Sequence, residues 1–121
     1  MNIAHLLLGS AQEFRDLPAL ARGASTHLTY RELWRKVSVM STHFAARFGL
    51  ARGDRVAFAM ANCVESIEVM YAIWHAGLCA VPMNAKLHAR EFAFILENSG
   101  AKLCFVTPDL ADTIAEAARE A

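Results

Sequence analysis

From residue 55 onward the chain alternates three short β-prone apolar runs with three stretches of helical periodicity, and few folds accommodate that order. The runs are Arg55-Val-Ala-Phe-Ala-Met60, Cys79-Ala-Val-Pro-Met83, where Pro82 is tolerated near a strand end, and Lys102-Leu-Cys-Phe-Val106. Asn62 with Glu65 reads as a capping box that opens a helix whose Val64, Ile67, Met70, Tyr71, Ile73 and Trp74 cover more than one face, closing at Gly77. A second helix is predicted from about Ala89 to Asn98, with Leu87 and Phe92 as its staple and Glu91 as its capping acid, and a terminal helix follows Thr107-Pro-Asp109. Strands separated by helices imply parallel pairing through right-handed crossovers. The expected fold is therefore α/β in three layers, a mainly parallel sheet with a βαβαβα core over about residues 55–120.

Upstream, residues 1–14 read as a short helix with Ile3, Leu6, Leu7 and Phe14 on one side. Extended stretches at Pro18–Ala21 and His27–Thr29 flank Gly23-Ala-Ser25 and suggest a small hairpin. Thr29 with Glu32 is a capping box, with Leu28 and Leu33 as its staple. The helix it opens carries apolar residues at Tyr30, Leu33, Trp34, Val37, Met40, Phe44 and Phe48 and ends near Gly49. No repeat or linker divides residues 1–121, so one α/β unit is expected. At 121 residues and 55% hydrophobic, the chain can bury a core without a metal or disulfide staple.

Twelve Lys and Arg balance twelve Asp and Glu, which argues against a general nucleic-acid or membrane-surface binder. The charge is unevenly spread: residues 1–60 hold eight basic and four acidic side chains, residues 61–121 four and eight, so the halves should attract. Cys63, Cys79 and Cys104 are odd in number and sit in apolar runs, reading as buried thiols of a reducing, cytoplasmic compartment. A zinc site built on His75-x3-Cys79 lacks the paired CxxC spacing. Residues 1–8 have no basic n-region, and the apolar run from Ile67 to Met83 is broken by Glu68, His75, Gly77 and Pro82, so neither a signal peptide nor a transmembrane segment is expected.

Parallel order gathers the loops beginning near Ala61, Asn84 and Thr107 at the carboxyl edge of the sheet, where ligands of such folds bind. Recognised phosphate loops are missing, since no two glycines lie closer than four residues and neither GxGxxG nor GxxxxGK[ST] occurs, and the GxSxG nucleophile elbow is absent as well. Strand ends at Met60, Met83 and Val106 lack the acidic cluster of a receiver domain. Glu65 and Glu68 read as a solvated helix face near a helix N-terminus rather than an acid/base pair, and His75 as a cation or satisfied partner at a helix C-terminus. Tyr71, Trp74 and the methionines sit at core spacing. The candidate ligand loop is Asn84-Ala-Lys-Leu-His88 with Arg90, two cations and an imidazole beside a helix N-terminus, with Lys86 its candidate phosphate contact.

Leu28-Thr-Tyr-Arg-Glu-Leu-Trp34, Arg52-Gly-Asp-Arg-Val-Ala57, Asn62-Cys-Val-Glu65, Ala76-Gly-Leu-Cys-Ala-Val-Pro-Met-Asn84, Arg90-Glu-Phe92 and Asn98-Ser-Gly-Ala101 resemble, in order and spacing, the opening of the adenylate-forming acyl-CoA synthetases. Ala85 departs from a frequent Pro, and His88 from a hydroxyl cap. The resemblance implies the first α/β portion of the large N-terminal domain of an enzyme that joins a carboxylic acid, such as a fatty acid, to AMP from Mg-ATP and passes the acyl group to coenzyme A. It also implies that the family's phosphate loop, ribose-binding carboxylate and C-terminal lysine lie beyond these residues. This chain is accordingly expected to be inactive alone, with no catalytic or metal-binding residue and no cofactor of its own, ATP, Mg and CoA belonging to the full-length enzyme. The loop holding Lys86 lies toward the CoA side in some members, so Lys86 is implied as a CoA phosphate contact. A free-standing, non-catalytic binding or interaction module is the competing expectation. Strand edges and apolar faces left uncovered in such a piece predict a homo-oligomer.

Overall fold

The computed structural model describes residues 2–121. A helix, α1 (His5–Glu13), leads into an antiparallel hairpin of β1 (Pro18–Arg22) and β2 (Ser25–Thr29), followed by the long α2 (Tyr30–Phe48). Then β3 (Arg55–Ala59), α3 (Val64–His75), β4 (Cys79–Pro82), α4 (Ala89–Ser99), β5 (Leu103–Val106), a 3-10 turn at Pro108–Leu110 and α5 (Ala111–Glu120) complete the α/β unit. The larger sheet is parallel in the order β4-β3-β5, with Val56 opposite Ala80 on one side and Leu103 on the other. Going from β3 to β4 and from β4 to β5 moves the chain in opposite directions across the sheet, so right-handed crossovers place α3 and α4 on opposite faces.

The central strand shows this division at period two. Val56 and Phe58 pack with Leu33, Val37, Phe44, Val69 and Ile73 from α2 and α3. Ala57 and Ala59 face Met83, Phe92, Leu96, Ile114 and Ala117, in the layer of α4 and α5. Three layers follow from one alternating strand.

Local chemistry sets the element ends. The Glu32 N–H donates to the Thr29 hydroxyl at 3.3 Å and the Thr29 N–H to the Glu32 carboxylate at 2.8 Å, closing the predicted capping box. That backbone bond from Thr29 is the main reason the Glu32 carboxyl is held below the usual range. At its far end α2 stops on Gly49, whose φ of 63° a side chain would disfavour. The Arg52-Gly-Asp54 turn into β3 uses Gly53 at φ 87°, whose N–H reaches the Gly77 carbonyl at 2.9 Å. Asp54 accepts from the Ala51 N–H at 2.8 Å and from Lys102 Nζ at 3.2 Å; these contacts, the backbone one foremost, keep its carboxyl below its ordinary value.

Several expectations need correcting. In α1 the buried side is Ala4, Leu7 and Ala11, spaced three and four apart, whereas Ile3, Leu6 and Phe14 are exposed. Asn62 does not cap α3: the N-cap is Cys63, with no side-chain cap bond, and Glu65 instead accepts from its own backbone N–H and pairs with Arg22. The cysteines are not uniformly buried, because Cys79 begins an outer strand and is exposed. Cys104 fits the buried reading better, with burial pushing its thiol up to about 11. Glu68 overturns the solvated-face reading of the Glu65/Glu68 pair, being 2% exposed. It lies two residues from Ser66, hence about 200° around the helix, on the side that α2 and the hairpin cover.

Candidate functional site at the carboxyl edge

The exits of β3 and β4 and the segment after β5 enclose a cleft of about 630 Å³. Phe58, Met60 and Met83 supply its apolar base; Asn62, Ser66, Asn84, Lys86 and Asp109 supply its polar groups. This is the edge at which open parallel sheets collect ligands, because side chains just past the strand ends project into space that the helices leave free. Across the switch between β3 and β5 the gap is bridged, the Ala61 N–H donating to the Thr107 hydroxyl at 3.2 Å.

Of the predicted loop, Asn84, Ala85 and Lys86 line the cleft, while Leu87, His88 and Arg90 are not among its walls. The Asn84 side chain accepts from the Lys86 N–H at 2.9 Å, a tight turn that holds this segment across the mouth. Lys86 is exposed and forms no ion pair among the described residues, so its ammonium remains available to an anion. Its partners in the cleft wall are amides and a hydroxyl, with Asp109 as the one carboxylate. His88 is the extended N-cap residue of α4, its N–H donating to Glu91 at 2.8 Å, which satisfies one end group of the helix despite the missing hydroxyl cap.

Asn62, Ser66 and Asp109 were not singled out as ligand residues by their sequence pattern. Asn62 was legible only as a cap and Ser66 not at all; their placement three residues beyond the end of β3 and in the first turn of α3, once the sheet is parallel, is the signal that finds them. His75 lies away from this edge, at the end of α3, and its expectation as a cation or satisfied partner there meets a ring with one nitrogen unpartnered among the described residues. Burial first and His5 second hold its imidazole below the ordinary range, and its Nδ1 is buried without a hydrogen-bond partner among the described residues. No three His, Cys, Asp or Glu side chains converge as metal ligands among the described residues, and no helix there is long and apolar enough to cross a membrane.

Fold and cleft together define an open parallel α/β unit with a cleft at the carboxyl edge of its sheet. Residues 8–121 match the family model of AMP-binding enzymes. Among curated proteins the chain is similar to a 3-hydroxybenzoate–CoA ligase of Aromatoleum sp. (strain CIB), 33% identical over 99% of this chain and 23% of the relative. It is also similar to a long-chain-fatty-acid–CoA ligase of Haemophilus influenzae, 32% identical over 87% of this chain and 18% of the relative. Among solved structures the N-terminal domain of FACL13 from Mycobacterium tuberculosis superposes with a TM-score of 0.87 at 32% identity, covering 95% of this chain and 29% of that one. The chain belongs to the AMP-binding enzyme family, and its architecture is that of the family's N-terminal domain. It spans between 4% and 23% of the length of the curated relatives it matches.

Proposed function

We propose that these residues form the amino-terminal part of an ATP-dependent acid–CoA ligase of the cytoplasm, which activates a carboxylate as its acyl-adenylate and transfers the acyl group to coenzyme A. The observation that carries this reading is the family match over residues 8–121. A fatty acid is the proposed substrate, a reading supported by the similarity to the Haemophilus ligase and to a Mycobacterium tuberculosis fatty acyl CoA synthetase; the 3-hydroxybenzoate ligase, matched over almost all of this chain, favours an aromatic acid as the second reading.

The residues present do not fit ATP's triphosphate. A phosphate cradle needs glycines close enough for consecutive N–H groups to face the ligand, and the glycines here stand at 9, 23, 49, 53, 77 and 100. No step of adenylation is assigned to this chain, and alone it is proposed to be inactive and to self-associate. Coenzyme A fits better. Lys86, with no carboxylate paired to it, faces a cleft whose Asn62 and Asn84 side-chain amides offer neutral donors, the combination that binds a phosphate without repelling it. There the chain's part is to bind and orient one end of the thiol substrate.

In the longer enzyme, Lys86→Ala is expected to raise KM for coenzyme A on the order of tenfold. Acid-dependent ATP–pyrophosphate exchange should stay unchanged, and a panel of fatty and aromatic acids in that same exchange reads out the substrate. An unchanged KM for coenzyme A refutes the contact; robust exchange by the 121-residue chain alone refutes the division of labour.

A further inference from the structure

A buried carboxylate joins three elements on the side of α3 turned away from the cleft. Glu68 is 2% exposed, and His27 Nε2 on β2 lies 3.1 Å from its Oε1. Lys36 Nζ on α2 lies 3.2 Å from Oε2 and 3.4 Å from Oε1. One turn earlier on α3, Glu65 pairs with Arg22 of β1. Thus α3 is tied to β1 and α2 by ion pairs and to β2 by the His27 hydrogen bond, while Val69, Ala72 and Ile73 tie it to the sheet by packing.

A buried ion pair gains little net stability over an apolar side chain of the same size, because desolvation cancels most of the attraction. What it does impose is position. Apolar contacts tolerate a slide or small rotation of a helix, whereas a carboxylate shared by two donors on different elements is satisfied in one arrangement only. Rotation of α3 would carry Ser66, and with it the preceding Asn62, away from the cleft that Lys86 faces.

We propose that Glu68 is a positioning residue for the cleft: held by His27 and Lys36, it fixes the rotation of α3 so that Asn62 and Ser66 face Lys86. The inference rests on the cleft being the coenzyme A contact, but its first readout needs no ligand. In the 121-residue chain, Glu68→Met and Glu68→Gln are compared with wild type by circular dichroism and by amide NMR. The expected result is an unchanged helical spectrum, displaced resonances for the Asn62 side-chain amide and the Lys86 N–H, and undisturbed resonances on the far face at Phe92 and Ile114. Coenzyme A titrations are expected to weaken on the order of tenfold, as when the outer partner that orients a binding group is removed. Lys36→Met, at a half-exposed side chain, removes one donor and keeps a readout if the buried variants unfold; Lys36→Arg should restore the wild-type pattern. Resonances of Asn62 and Lys86 that stay in place overturn the proposal, as do equal shifts throughout the chain, or unfolding of every variant, which would make Glu68 a stability residue. Wild type that shows displaced Asn62 and Lys86 signals in the variants yet no response to coenzyme A supports the positioning role and refutes the ligand reading alone.

Discussion

At the scale of single residues, burial decides what a titratable side chain contributes, and His75 shows it most directly. Its ring meets Trp34 edge-on with centroids 4.7 Å apart, and His5 adds a second imidazole nearby. Burial, then His5, lowers its proton affinity in the fold, whereas the unfolded chain leaves it ordinary. The unfolded state therefore binds the proton more tightly, so the stabilisation is whole above the unfolded value of about 6.5 and is lost as pH falls below it. Thermal unfolding followed from about pH 7.5 to 5 should show falling stability, and His75→Gln should flatten that slope. Glu68 teaches the same lesson in reverse. Nothing in the pattern Val64-Glu-Ser-Ile-Glu68 distinguishes the exposed acid from the buried one, because the donors that cover Glu68 come from His27 and Lys36, some forty and thirty residues upstream. Lys86 was legible for the opposite reason. Its placement follows from local order, a cation in the loop just beyond a strand, and needs no distant partner.

At the scale of elements, the strands, helices and parallel order matched the sequence; what tertiary contact decides, which side a helix buries and which residue caps it, did not. The Thr29 and Glu32 box needs only four residues, and α2 begins where it says. Its loss has a defined cost: Thr29→Ala should destabilise the chain by about 1 kcal/mol, and a denaturation midpoint unchanged within error would show the cap to be idle. Glu32→Gln should cost less, since an amide oxygen still accepts the Thr29 N–H. The apparent box at Asn62 fails because the helix begins one residue later, with Cys63 as N-cap, so Glu65 falls one position short of the capping acid and accepts from its own N–H while pairing with Arg22. Likewise α1 buries Ala4, Leu7 and Ala11 rather than its bulkiest residues, since close approach to α2 favours the small side chains. The charge asymmetry between halves, by contrast, was visible in composition and is realised in the folded chain by Arg22–Glu65 and Lys36–Glu68, which join a base of the first half to an acid of the second; Lys102–Asp54 crosses in the opposite sense.

For the whole molecule, the decisive quantity is how much of the sheet is covered. The central β3 is buried from Val56 to Ala59, but β4 and β5 each have one neighbour, and every residue of β5 is only half-buried. Beside β5 lies a groove of about 450 Å³ lined by Leu96, Ala101, Leu103, Cys104 and Ile114. Parallel strands are normally buried on both faces and both edges, since an unpaired edge presents a row of N–H and carbonyl groups to any other edge it meets. In a chain that spans under a quarter of its curated relatives, such an edge is available to a second copy. The 121-residue chain should therefore self-associate, with the fraction of dimer or larger species in light scattering rising with concentration. Phe105→Lys places a charge on β5 at a strand position whose ring meets Phe44 edge-on at 5.8 Å, so it would also disturb the core. Ala118→Lys, at an exposed position of α5 that lines the same groove, puts a charge beside the edge without entering the core. A shift toward monomer with Ala118→Lys, at retained helical content, is the expected result. A wild-type chain that remains monomeric at millimolar concentration would mean that the side chains of β5 and its groove already blunt the edge, and that the fold needs no further covering to persist in solution.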